Sequence, residues 1–460
     1  MRGVARLRTI AASRLPTDRD TRLFFVIAFA DAIGTGLFLA GSALFFTTTL
    51  RLSTVQVGIG ISLAGFAGLL ASVPIGRLAD RFGARRVLVV LQALRGAGFL
   101  AYPFISGFTS FLIVACLIGA AEWAAHPVIQ TVVSSTAAGQ SYVHTMAAMT
   151  VCRNIGYSLG ALVAVAAIAL GTASTYESLV LANGVSFLIV TVLLIRLRLP
   201  NESRRAPIPE LRRGRRFPRR HLPYLLLTVI NGLLYLHSVL LTIALPLWIV
   251  KDTAAPKAMT AVILIVNTLM AITLQVRLSA GGDDIAHAAR KQRLAAWALV
   301  GCCVLIAGTG SVAPVASSML LIAGAGALTL GEIWQSAGAW GLSYGLAPEF
   351  GRAFYLSIYS LGGTGASVVG PAILAADVVD RGAGGWLGLG ALFACTGLAV
   401  PAAARLAQRQ MQQAFPNTGD AGPNGPGDPA DSQQATASSC ADAPSKPGSQ
   451  VPGTLGSPGG

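Results

Sequence analysis

Gly76-Arg77-Leu78-Ala79-Asp80-Arg81-Phe82-Gly83-Ala84-Arg85-Arg86 is the stretch that decides the fold. It holds five charges in eleven residues, and the flanking runs 56–75 and 87–94 hold none. Long apolar runs are at home in lipid, while charges need water. The stretch therefore reads as a tight hairpin at one membrane face, joining two spanning helices.

The composition supports the same solvent. Of 460 residues, 53% are hydrophobic and 12% charged, and the mean hydropathy is +0.64. A soluble domain carries about 25% charged residues. In lipid the backbone must satisfy its own hydrogen bonds, which leaves helices or a closed barrel. The apolar runs are continuous rather than alternating, which argues against barrel strands. The expected class is an all-α membrane protein.

The net charge of +15 sits mostly between the apolar runs, where Arg and Lys set orientation, so no nucleic-acid partner is expected. Five of the six cysteines fall in apolar runs, the five histidines are scattered, and no metal-ligand spacing occurs. Neither a disulfide framework, a metal nor a cofactor is expected. No Walker-type Gly-Lys-Ser/Thr occurs, which argues against direct use of ATP.

Spans are expected near 23–48, 55–75, 87–106, 110–132, 145–170, 177–197, 223–249, 258–279, 294–312, 315–344, 353–376 and 384–406. The apolar run Leu23–Ile27 is too short for a signal-peptide core, so the first span reads as uncleaved. Twenty-eight of the 34 Lys and Arg residues fall on the side of the N-terminus and four on the other. That asymmetry places both termini and the hairpin in the cytoplasm of a multi-pass plasma (inner) membrane protein. The expected division is a cytoplasmic segment 1–22, a six-helix lobe 23–197, a basic linker 198–222, a second six-helix lobe 223–406 and a disordered tail 407–460. The tail is rich in Gly, Pro and Ser and lacks periodicity.

The halves repeat. At an offset of 200, Asp31 falls on Asn231 and Arg77-Leu78-Ala79 on Arg277-Leu278-Ser279. Five residues later in register, Gly83-Ala84-Arg85-Arg86 falls on Ala288-Ala289-Arg290-Lys291, and at 210 Glu122 falls on Glu332. Units of six spans share one topology, so the lobes are related by a pseudo-twofold axis along the membrane normal. On this register the second hairpin keeps the cations, loses the glycines and carries Asp283-Asp284 in an enlarged loop.

The hairpin resembles the loop between spans two and three of the major facilitator superfamily, with Gly76, Asp80, Arg81, Gly83, Arg85 and Arg86 at the motif positions. The resemblance covers about residues 20–406 and implies a transporter rather than an enzyme. It further implies that this loop is a cytoplasmic gate element, with its Asp and Arg contacting neighbouring helix ends. Asp80 suits a helix N-terminus, and Gly76 and Gly83 suit close approach and a tight turn. A purely solvated orientation loop accounts for the Arg residues but not for these three together. The drug-exporter-like branch is the weaker part of the resemblance. The span-four Arg of such antiporters is missing from Cys116–Glu122, and Gly156-Tyr157-Ser158-Leu159-Gly160 lacks their Pro, while Gly370-Pro371 lies in span eleven.

Five ionisable residues fall deep within spans: Asp31, Arg95, Glu122, Arg153 and Glu332. Charges at that depth face a partner or a cavity. Asp31 and Glu122 balance Arg95 and Arg153, which makes Arg95 and Arg153 ion-pair candidates. Glu332 has no Lys or Arg deep within the expected C-terminal spans, where Arg277 and Arg405 stand only at span ends, and a carboxylate without a counter-charge suits proton exchange or a cationic substrate group. In the resembled fold, spans one, four, seven and ten line the cavity, which implicates Asp31, Glu122, Asn231, His237, Glu332 and Gln335. Trp123, Trp334 and Trp340 are either cavity walls or packing residues.

The function expected is secondary active transport of a small organic solute by alternating access. The leading form is a monomeric, proton-coupled exporter of an amphipathic or cationic compound. A proton-coupled importer of a sugar or organic acid is the alternative, because direction is not written in the motif.

Overall fold

The computed structural model describes residues 19–136, 141–169, 172–197, 222–348 and 351–414. Among the described residues, twelve helices are long and apolar enough to cross a membrane. In the first half they are α1 (Arg19–Thr49), α2 (Thr54–Phe82), α3 (Ala84–Phe104), α4 (Phe108–Ser135), α5 (Tyr142–Ile168) and α6 (Ser174–Arg196). In the second they are α7 (Leu222–Asp252), α8 (Met259–Ser279), α9 (Ile285–Ser311), α10 (Pro314–Gly345), α11 (Arg352–Ala376) and α12 (Ala383–Gln413). The described residues contain no strand. The expected basic linker up to His221, the first eighteen residues and the tail beyond Ala414 lie outside the described residues.

The helices outrun the apolar windows. Helix α2 continues to Phe82, so Arg77, Asp80 and Arg81 are helical, and the expected loop shrinks to Gly83 at φ 96°. Helix α9 starts at Ile285, which makes Arg290, Lys291 and Arg293 helical too. Helix α12 likewise passes 406. The second-half helices therefore do carry basic residues, at their ends. Hydropathy stops at the first charge, but Arg and Lys are good helix formers whose long stems lie along apolar surface.

Within the first half, α1 packs on α5 and α6, α2 on α4, and α3 on α4 and α6. The second half repeats this: α7 packs on α11, α8 on α10 and α9 on α10, while Gly397 of α12 sits against Ala296 of α9. Between the halves α2 packs on α11 and α5 on α8. The repeat reaches details, since α1 and α7 each contain a π-helical turn, at Phe45–Thr49 and Leu240–Ala244. Small residues let the helices close up, as lipid requires when packing replaces the hydrophobic drive. A Cβ on Gly160 would lie 2.3 Å from the Ile33 carbonyl oxygen, and one on Gly362 would lie 2.1 Å from that of Thr228.

Candidate functional site

The turn between α2 and α3 reaches across to the other half. Asp80 Oδ1 accepts the backbone N–H of Ala353 at 3.0 Å and Oδ2 that of Phe354 at 2.9 Å. These are among the first N–H groups of α11, which have no partner inside their own helix. The aligned peptide dipoles there favour a negative charge. Gly76, one turn back, allows the approach: a Cβ on it would lie 2.2 Å from Ser357 Oγ and 2.9 Å from the Ala353 oxygen. Arg77 covers the Phe354 ring at 4.8 Å. Arg85 faces the opposite charge pattern, its Nε donating to the Leu194 carbonyl at 2.9 Å and its Nη2 to that of Ile195 at the end of α6. Arg81 lies over Phe82 and Arg86 is exposed.

The turn between α8 and α9 does the same in reverse. Asp283 Oδ1 accepts the N–H of Val143 at 3.0 Å, and Oδ2 accepts the hydroxyl of Ser141, at the start of α5. Gly281, at φ 75°, and Gly282 make the approach. The Gly282 oxygen would lie 2.0 Å from a Cβ on Gly341. The second hairpin therefore has its glycines, just before the acid, and the sequence register that set Ala288 against Gly83 hid them. Asp284 caps α9 through the N–H of His287 at 2.9 Å. That bond, together with the His287 ring, holds the Asp284 carboxyl below its usual range.

Deep in the first half, four charges meet. Arg95 lies 3.3 Å from Asp31 and 3.7 Å from Glu122, and Arg153 lies 3.7 Å from Asp31. Gln92 donates to Asp31 at 3.2 Å and accepts from Arg95 at 2.8 Å. The Arg95 guanidinium also stands 3.9 Å over the Phe187 ring. The cluster is formally neutral, which is what makes four charges tolerable at this depth. Asp31 and Arg95 side chains are 6% exposed, while that of Glu122 is 40% exposed. Glu122 is thus the reachable charge, with His126 exposed one turn further along α4.

The second half has a neutral counterpart. Gln292 donates to Asn231 at 3.2 Å and to Tyr359 at 3.1 Å, and Gln335 donates to Asn231 at 2.8 Å. Glu332 stands apart from this group and is not bare: Asn267 donates to it at 2.7 Å and to Thr329 at 3.2 Å. Its partner is a neutral amide, not a counter-charge. Among the described residues no ion pair involves Glu332. His237 donates its Nδ1–H to the Leu234 oxygen, 2.8 Å away, and lies within electrostatic reach of Glu332.

Of the tryptophans, Trp123 packs against Gly68 of α2 and Trp340 packs on the first-half core, so both are packing residues. Sequence reasoning passed over Gln92, Gln292, Asn267 and Tyr359. The first two were findable, because they stand at the same offset of 200 as Asp31 and Asn231.

Solved structures place this arrangement among known folds. The chain is similar to a double-tryptophan mutant of XylE, with TM-score 0.65 and 15% identity over 85% of this chain and 98% of that one. It is similar to a bacterial homologue of the iron transporter ferroportin in an outward-facing state, with TM-score 0.63 and 13% identity over 85% and 100%. It is also similar to the human organic anion transporter MFSD10 (TETRAN), with TM-score 0.52 and 17% identity over 86% and 100%. At these identities the likeness is one of fold. No curated protein sequence matches significantly. The profile of the Major Facilitator Superfamily matches residues 24–371, and the chain belongs to that superfamily.

Proposed function

We propose that the chain is a secondary active transporter that moves an amphipathic or cationic organic solute outward in exchange for protons, by alternating access. The observation that carries the gating part is the pair of latches, Asp80 on α11 and Asp283 on α5. The contacts they make, with Arg77 over Phe354, gather where the hairpins lie, and Ser72 to Ser360 at 3.4 Å joins the same two helices further along. Each latch is a few hydrogen bonds between the halves, strong enough to hold one conformation and weak enough to release. The excess of Lys and Arg on the hairpin side makes that side cytoplasmic in a plasma membrane.

Charge supports the substrate class. The first-half cluster cancels its own charge, and the second-half cluster is neutral. Glu332 therefore remains as a carboxylate with only a neutral donor, while Glu122, though paired with Arg95 at 3.7 Å, is the 40% exposed acid of the first cluster. Two accessible acids suit a proton and an organic cation competing for the same sites.

The test is transport of an organic cation dye such as ethidium in everted and right-side-out vesicles, with an imposed pH gradient. Gradient-driven uptake into everted vesicles, lost in Glu332→Gln, is the expected result. A Glu332→Gln protein that transports at full rate with unchanged pH dependence would remove Glu332 from coupling. Accumulation in right-side-out vesicles would assign import instead.

A further inference from the structure

Tyr142 and Tyr344 stack across the two halves, with ring centroids 4.3 Å apart and planes at 22°. Tyr142 opens α5, and its neighbours Ser141 and Val143 are the donors of the Asp283 latch. Tyr344 lies in the last turn of α10. The Arg352 guanidinium covers its ring at 4.4 Å and donates to its phenol oxygen at 3.4 Å. Arg352 opens α11, directly before Ala353 and Phe354, the donors of the Asp80 latch. A line of contacts and chain neighbours therefore runs from Asp283 through Tyr142, Tyr344 and Arg352 to Asp80.

We propose that Tyr142, Tyr344 and Arg352 form a ladder that ties the two latches into one gate. The inference rests on the gate reading above and adds how the two closures are joined. Without the ladder each latch grips only the first turn of a helix, and first turns fray independently because their N–H groups lack internal partners. Aromatic stacking and cation–π contact fix both helix starts to the same side chain of α10. Releasing either acid then strains the stack that positions the other. The contacts are specific in kind: the aromatic ring carries the coupling, and the phenol hydroxyl only trims the Arg352 geometry.

Two buried reporters test this in the full-length protein, one per latch: Ser357→Cys beneath Gly76, and Val143→Cys at the Asp283 contact. Their alkylation by N-ethylmaleimide is followed by peptide mass spectrometry. With the ladder intact, Asp80→Asn should raise the alkylation rate of both reporters by about tenfold, the scale of one lost charge-assisted hydrogen bond. With Tyr344→Ala added, Ser357→Cys should stay fast and Val143→Cys should return to within about twofold of its parent rate. Tyr344→Phe, which keeps the ring, should leave the two reporters joined. Tyr142→Leu offers a second way to break the stack should Tyr344→Ala fail to fold. If Asp80→Asn speeds only Ser357→Cys while Tyr344 is present, the gate stands and the ladder is wrong. If both reporters stay joined after Tyr344→Ala or Tyr142→Leu, the halves move as rigid bodies and the ladder is again wrong. If Asp80→Asn speeds neither, the gate reading itself fails.

Discussion

Asp31 and Asn231 accept the same hydrogen bond at the same length: Gln92 donates to one at 3.2 Å and Gln292 to the other at 3.2 Å. The repeat has kept the geometry and changed the charge. Around Asp31 the first half sets Arg95 and Arg153, while around Asn231 the second half sets Gln335 and, among the described residues, no cation within hydrogen-bond reach. Asp31→Asn should therefore be costly although it copies the partner site. It leaves Glu122 as the one acid of the cluster facing the buried Arg95 and the partly exposed Arg153, a loss of about 3–5 kcal/mol, read as a lower thermal midpoint in detergent. Adding Arg95→Gln to Asp31→Asn should recover part of that loss, because it restores neutrality.

The two latch acids should differ in weight. Asp80 takes two backbone N–H bonds, whereas Asp283 takes one and a hydroxyl that can turn to other acceptors. Asp80→Asn should slow transport more than Asp283→Asn, with each lost charge-assisted bond worth about 1.5–3 kcal/mol before solvent screening. Vesicle transport rates normalised to protein amount decide it, and equal losses would assign the two turns the same duty.

Gly76→Ala should act through distance rather than charge. The new methyl meets Ser357 Oγ at 2.2 Å and the Ala353 oxygen at 2.9 Å, and a backbone oxygen cannot rotate away. Parting α2 from α11 there should cost about 1–3 kcal/mol and should weaken the Asp80 contact as Asp80→Asn does. Gly58→Ala, with nothing within 4 Å, should leave transport unchanged.

Asp284 gives a pH-dependent contribution with a definite sign. Its carboxyl is held below the usual range, first by the His287 N–H. The stabilisation is thus complete above the ordinary Asp value of about 3.9 and fades as pH falls through the lower folded value. At neutral pH, Asp284→Ala should cost about 0.5–1 kcal/mol as a lost helix cap in an exposed position. The difference in thermal midpoint between the two proteins should narrow steadily below about pH 4.

What could be read from the residues depended on whether a group announces itself by charge. A lone acid or Arg in an apolar run is conspicuous, so Asp31, Arg95, Glu122 and Arg153 were identifiable before their 3.3 to 3.7 Å contacts were seen. Asn267 is not conspicuous, because an amide in a span breaks no pattern, yet it is the partner of Glu332. Helix ends run past the apolar windows for the same reason. Hydropathy responds to charge, whereas the backbone of α2 responds to φ and ψ and turns only at Gly83. The role of Asp283 was concealed by register, since its glycines stand before it rather than around it. Tyr142 and Tyr344 are distant in sequence and ordinary in composition, and only the packing of α5 against α10 brings them together.

Both latches set an aspartate side chain on one half against main-chain N–H groups on the other, with the Ser141 hydroxyl added at Asp283. The receiving groups at Ala353, Phe354 and Val143 are peptide N–H donors, which any residue but proline supplies. The latch bonds themselves therefore tolerate a change of side chain at Ala353, Phe354 and Val143, while each aspartate stays fixed by what it must reach, and Ser141, Tyr142 and Arg352 by their side-chain contacts. Substitution scanning should show two intolerant acids facing tolerant partners, with Ala353→Pro and Val143→Pro as the sharp exceptions.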